Sequence, residues 1–363
     1  MLFPSRIAPL FLLCAAIWLP AHAAEHRKAH RTPAKKTATA VPRDKPGHAF
    51  GPRDDLMRYA GELAAAQGWD GAELKGQLAQ AQSLPVVQRL IMPAPSGAAK
   101  DWAAYRARFV EPRRLQAGLA FWAENEAALA QAEQRFGVPA EVIVGLIGVE
   151  TFYGRIMGGF RVLDALATLA FDFPTGRSDR SEFFRGELTE FLKLSRREHL
   201  DPFSVKGSYA GAMGLPQFMP GSWNRYAIDF DGDGHVDLVA EPADAIGSVA
   251  NYLAEHGWKR DMPVSYAISA PTGGMPAQLL LPDIKPTFGS AELQAAGLAL
   301  PDVAREHFGP LAVVELQNGA RQPPTYVLGT ENFYTLTRYN WSAYYAMAVV
   351  ELGRSLTALR AAR

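Results

Sequence analysis

An uninterrupted apolar run, Val142-Ile143-Val144-Gly145-Leu146-Ile147-Gly148-Val149, ends on a single carboxylate, Glu150, followed by Thr151-Phe152-Tyr153-Gly154. Water drives such a run into a core, and the acid goes with it. Loss of water disfavours the charged form of a carboxylate and raises its pKa towards neutrality. A carboxyl that stays protonated can donate to a leaving group, so Glu150 reads as a candidate general acid. The competing reading is a carboxylate at a helix end that points to solvent. The segment alone favours that blander reading; the motifs downstream reverse it.

The chain has 363 residues, 48% hydrophobic and 20% charged, an ordinary globular balance with room for one large domain or two smaller ones. Its net charge of +0 gives no electrostatic reason to expect nucleic acid. Residues 1–23 read as a signal peptide: Arg6 supplies a positive charge, Ile7 to Trp18 is apolar apart from Pro9, and Ala21-His22-Ala23 sets cleavage before Ala24. The apolar run is too short to span a bilayer comfortably. Leu13 before Cys14 counts against a lipid anchor. Cys14 is the only cysteine, so the processed chain has no disulfide, no thiol nucleophile and no thiolate metal site. Such a chain suits an oxidising compartment, and the expected location is the periplasm.

Residues 24–50 carry Arg27, Lys28, Arg31, Lys35, Lys36, Arg43 and Lys45 among three prolines, and read as a flexible basic linker. Helical patterns dominate from Asp54 onward. Asp70-x-x-Glu73 resembles a capping box. Leu115, Leu119, Trp122, Leu129 and Phe136 fall at helical spacing, with Gly137 as a stop. Pro139 suits the first turn of the helix that carries Glu150. Further helices are expected at Asp164–Phe171, Ser181–His199, Pro242–His256 and Trp341–Arg360. Residues 259–338 are richer in Pro and Gly, and Gln278–Leu281, Leu311–Leu316 and Tyr326–Leu328 read as short strands. The fold class is α+β, predominantly α-helical. The expected division is a helical flanking region at 51–135, a catalytic core at 136–260, a small irregular or β insertion at 261–330 and a C-terminal helix at 331–363.

Three further motifs bear on chemistry. In Lys206-Gly-Ser-Tyr-Ala-Gly-Ala-Met-Gly-Leu-Pro-Gln217-Phe-Met-Pro220, tight turns present Ser208, Tyr209 and Gln217. Asp229-Phe-Asp231-Gly-Asp233-Gly234-His235 matches the first half of an EF-hand loop, with hard oxygens at alternate positions and glycine at the turn. Ala240 stands where the bidentate glutamate belongs, so Glu241 or Asp244 is left to close the site. The bland alternative is an acidic turn without metal. Finally, Tyr209, Tyr226, Tyr252, Tyr339, Trp341, Tyr344 and Tyr345 offer flat rings suited to sugars, although each alone reads more simply as core or rim. No Walker loop, His-Glu-x-x-His or Gly-x-Ser-x-Gly occurs, so no organic cofactor is expected.

Taken in order, Gly-Val-Glu150-Thr, the Ala-Gly-Ala-Met-Gly…Gln-Phe-Met-Pro loop and Asp-Gly-Asp-Gly-His resemble the lytic murein transglycosylases of the membrane-bound B type. The resemblance runs from about Ala104 to Gly353. It takes in Arg161-Val-Leu-Asp-Ala-Leu, Asp244-Ala-Ile-Gly-Ser-Val-Ala-Asn-Tyr252 and Arg338-Tyr-Asn-Trp-Ser-Ala-Tyr-Tyr. It implies a lysozyme-like catalytic core with a flanking α domain. It also implies cleavage, without water, of the β-1,4 bond between N-acetylmuramic acid and N-acetylglucosamine in peptidoglycan, leaving 1,6-anhydromuramic ends. Glu150 matches the single acid/base. Ser208, Tyr209, Gln217, Tyr252, Tyr339, Asn340 and Tyr345 match the sugar site and its wall. Asp229, Asp231, Asp233, His235 (through its carbonyl) and Asp244 match a structural calcium loop, here one residue longer than usual. The implied partners are glycan strands and cell-wall assembly proteins, with the enzyme a monomer. Hydrolysis at the same site and non-catalytic peptidoglycan binding are the competing functions.

Overall fold

The computed structural model describes residues 47–93 and 100–362. The expected signal peptide with Cys14, and the linker up to residue 46, lie outside the described residues. Sixteen helices and seven short strands are present among those described, none of the helices long and apolar enough to cross a membrane.

The apolar run forms the helix Ala140–Thr151, buried from Val142 to Val149. A helix apolar on every side must be wrapped on every side. Its principal partner is the long C-terminal helix Ala343–Ala361, and glycines set how closely the two approach. A Cβ on Gly145 would collide with the Val349 carbonyl oxygen, and one on Gly353 with the Glu141 carbonyl. The helices Pro112–Glu124, Glu126–Phe136 and Pro242–Glu255 close the remaining sides.

Local expectations hold at Gly137 and in part at Asp70. Gly137 caps its helix in the left-handed region, φ 70°. Asp70 accepts from the N–H groups of Ala72 at 2.7 Å and Glu73 at 3.1 Å. Glu73 turns away to Arg196, so only half of the capping box forms. In Arg161-Val-Leu-Asp, Asp164 is buried; it accepts from Arg161 at 2.6 Å and from the Gln82 N–H at 2.9 Å, docking the N-terminal helices onto the helix Val162–Phe171.

Three expectations are corrected. Leu115 to Phe136 is two helices, parted at Asn125. The stretch 331–363 is also two, Glu331–Tyr339 and Ala343–Ala361, because Asn340 is extended and the Ser342 side chain caps the second by accepting from Tyr345 N–H. Gln278–Leu281 is no strand: Ala277–Leu280 is a helical turn that buries Leu279. The other two strand expectations coincide with Ala312–Asn318, which begins one residue after Leu311, and with Gln322–Gly329, an antiparallel pair in which Ser265–Ile268 adds to the far side of the second. Period-two alternation makes this sheet a partition. Ala312, Val314, Leu316 and Val327 face the main core, while Leu311, Val313 and Leu328 face a second, smaller one with Leu279, Leu293 and Leu300.

Candidate active site and metal loop

Glu150 lies at the C-terminal end of the buried helix, half-exposed where the apolar run stops. Its Oε1 accepts a hydrogen bond from the Tyr345 hydroxyl at 2.6 Å. Tyr345 is fully buried on the C-terminal helix, so its phenol presents a fixed O–H to the carboxylate. The chain then reverses through three consecutive left-handed residues, Phe152 (φ 52°), Tyr153 (φ 57°) and Gly154 (φ 83°). Two of these carry side chains that disfavour the region, so strain is stored beside the acid. Thr151, also buried, ties this turn to the next segment by donating from Oγ1 to the Leu215 carbonyl at 3.0 Å.

That segment is the glycine-rich loop. Ser208 is buried; its Oγ accepts from Ala212 N–H at 3.0 Å and from Ala210 N–H at 3.3 Å. Gln217 adopts φ 51°, and its amide donates to the Gly214 carbonyl at 3.0 Å and the Met157 carbonyl at 3.2 Å. Both side chains hold the loop's shape against the turn that follows Glu150. Tyr209 is half-buried against the main core. The Tyr339 hydroxyl donates to the Pro216 carbonyl, so the same loop is also tied to the C-terminal region.

The tyrosines form a continuous chain of ring contacts, stacked between Tyr345 and Tyr339 and edge-to-face beyond. Tyr345 and Tyr339 lie with ring centroids 6.4 Å apart, Tyr339 and Tyr252 4.8 Å, and Tyr252 and Tyr226 5.0 Å. Of the two readings open for Tyr252, Tyr339 and Tyr345, a sugar-facing ring or a core position, the packing favours the core. All three are buried, their hydroxyls bound to Arg338 O, Pro216 O and Glu150 respectively. Each ring covers the next, so they brace the site from behind. Asn340, at the bend beside them, is buried as well.

The acidic loop gathers two overlapping groups of carboxylates, Asp229 with Asp231 and Asp244, and Asp231 with Asp233 and Glu241; within each group the ligand atoms lie within 4.8 Å of one another. Asp244, completely buried, accepts from the N–H groups of Phe230 at 2.7 Å and Asp237 at 2.8 Å, which fixes it under the loop. Burial pushes its carboxyl upward, opposed by those two hydrogen bonds. Glu241, weighed on sequence beside Asp244 but left out of the ligand set, is brought together with Asp231 and Asp233. Its Oε2 is buried without a partner, and desolvation and the charges of Asp233 and Asp231 push its pKa up. An orphaned carboxylate oxygen among like charges fits a hard divalent cation. His235 sits in the same loop, its N–H donating to Asp233 at 2.8 Å.

The family model for the transglycosylase SLT domain matches residues 53–354. The chain belongs to this family. Its activity is that of a lytic murein transglycosylase acting on peptidoglycan, and its catalytic region has the lysozyme-like fold of the family. It is 41% identical over 322 residues to the membrane-bound lytic murein transglycosylase B of Escherichia coli K12, covering 86% of each chain. Among solved structures it is similar to the Escherichia coli lytic transglycosylase Slt35 in complex with calcium, with TM-score 0.76, 41% identity, and 86% and 97% of the two chains covered. It is also similar to the soluble lytic transglycosylase SltB1 of Pseudomonas aeruginosa, with TM-score 0.75, 40% identity, and 85% and 100% covered.

Proposed function

We propose that Glu150 is the single acid/base of this transglycosylase and that the reaction closes on the substrate's own C6 hydroxyl. The observation that carries the reading is the pairing of Glu150 with a buried phenol, Tyr345, where most glycosidases pair two carboxylates. With one carboxyl, the substrate supplies the second group. Protonated Glu150 donates to the oxygen leaving C1 of N-acetylmuramic acid. The 2-acetamido oxygen stabilises the oxocarbenium-like centre, as in substrate-assisted glycosidases. Glu150, now ionised, takes the C6 hydroxyl proton as O6 bonds to C1. The products are an N-acetylglucosamine hydroxyl and a 1,6-anhydro ring; no water is consumed, and Glu150 ends protonated. The Tyr345 O–H, already aimed at Oε1, stabilises the carboxylate formed at the midpoint.

Ser208, Tyr209 and Gln217 belong to this site as the loop beside the glycan, with Asn340, Tyr252 and Tyr339 as the buried support behind it; the hydrogen bonds of Ser208 and Gln217 support a shaping role for both. In the acidic loop Asp229, Asp231, Asp233, Asp244 and the His235 carbonyl are the proposed calcium ligands, with Glu241 added because its oxygen is orphaned. Bound calcium would neutralise these charges and hold the fold, with no step routed through it. The expected setting is the periplasm after signal cleavage, acting as a monomer on glycan strands alongside cell-wall assembly proteins.

Glu150→Gln tests the assignment. The variant keeps shape and loses proton transfer, so cleavage falls by at least about a thousandfold while glycan binding is retained. Substantial turnover by it would overturn the assignment.

A further inference from the structure

We infer that Arg114 is a positioning residue for Glu150, acting through the two ends of the turn that carries it; this rests on Glu150 being the acid/base. Arg114 stands in the first turn of the helix Pro112–Glu124. Its Nη1 donates to the Gly148 carbonyl, two residues before Glu150. Its guanidinium lies 4.4 Å from the ring centroid of Phe152, two residues after Glu150, and 5.2 Å from that of Phe109. The cation therefore grips the chain on both sides of the acid. It also sits at a helix C-terminus, where the helix dipole favours positive charge.

The grip has something to hold. Phe152 and Tyr153 both occupy the left-handed region, which side-chain-bearing residues keep only when their surroundings over-determine it. Arg114 fixes the first of them by stacking on its ring. Tyr153 is fixed differently: its hydroxyl is wedged where Gly118 and Gly148 face each other, and a Cβ on either glycine would collide with it. The Tyr153 hydroxyl and Arg114 Nε are both buried without a partner, a cost accepted beside the acid. Relaxation of this turn would tilt the end of the helix and move Glu150 relative to the Tyr345 hydroxyl. Lysine does not reproduce the grip, because a compact ammonium cannot both donate to the Gly148 carbonyl and spread its charge over the Phe152 ring as the guanidinium does.

The test compares kcat and KM of wild type, Arg114→Lys and Arg114→Gln on soluble uncrosslinked glycan chains, each at the same interval below its own Tm. A displaced acid costs turnover and spares binding, so kcat falls about 10–100-fold with KM within about twofold. Phe152→Leu removes the stacked ring, leaves Arg114 in place and gives the same split, which carries the test should the Arg114 variants fail to fold. Arg114→Lys and Tyr345→Phe act on one geometry, so the double variant loses less than the product of the single losses. Normal turnover in Arg114→Lys, a loss that vanishes at matched distance from Tm, or strictly multiplicative losses would each overturn the inference. Glu150→Gln run in parallel separates the failures. If it is active, the acid/base assignment fails. If it is inactive while Arg114→Lys turns over normally, only the role of Arg114 fails.

Discussion

Tyr345 donates to Glu150 at 2.6 Å from a position with no access to solvent, and that contact sets the first prediction. A hydrogen bond to a charged group contributes about 1.5–3 kcal/mol. Tyr345→Phe keeps the ring stacked on Tyr339 and removes only the donor. Its kcat should fall about 10–100-fold with little change in Tm; wild-type turnover would remove Tyr345 from the mechanism. Glu150 stands out in the sequence only in company: the apolar run alone reads as a helix end facing solvent, and the loop motifs downstream are what single it out. The way Tyr345 acts is not legible, since the same Tyr-Tyr pair could equally have faced a sugar. Only tertiary packing decides which ring is enclosed. Arg114 gives no local signal at all: its meaning depends on Gly148 and Phe152, more than thirty residues away.

The helix Ala140–Thr151 and its C-terminal partner approach at glycines, and that closeness can be tested by one methyl group. Gly145→Ala gains up to about 1 kcal/mol of helix propensity, but the added Cβ collides with the Val349 carbonyl oxygen, and overpacking costs about 1–3 kcal/mol. Tm should drop. Gly186→Ala, in the exposed middle of the helix Ser181–Arg197 with nothing near its Cβ, should raise it. Equal effects at the two sites would contradict the packing account. A second element-scale prediction concerns Glu187, which accepts from the Gly221 N–H at 2.8 Å at the start of the helix Pro220–Tyr226. Burial, offset by that bond and reinforced by Glu190, pushes its pKa up from 4.5 to about 7. Its contribution to stability is full below about pH 4.5 and is lost as pH rises through about 7. Glu187→Gln should therefore gain in Tm over wild type between pH 5 and pH 8; a pH-independent difference would contradict this. Long periodic helices such as Ser181–Arg197 are readable because one face repeats. Ala277–Leu280 is not: four residues cannot separate a helical turn from a strand.

Two cores share one sheet, and the acidic loop anchors below the helix Pro242–Glu255 through Asp244. Like charges held this close without a cation oppose the fold. Calcium that binds only the native state adds about 2.7 kcal/mol at a free concentration a hundred times Kd. Chelation should lower Tm and calcium re-addition should restore it, with Glu241→Gln weakening the restored shift. A Tm indifferent to both would remove the metal. The first half of this loop is plain in the sequence because its aspartates alternate around glycines. Its closing side is not, because Glu241 and Asp244 are separated only by where the following helix begins. The second core is equally hidden, since Val313 and Val314 read as one apolar pair although they face opposite sides of the sheet. The most direct test of the whole account is mass spectrometry of the products released from purified sacculi by wild type and Glu150→Gln in parallel. Wild type should release 1,6-anhydromuropeptides and the variant none. Reducing-end muropeptides, or equal release by both proteins, would contradict this.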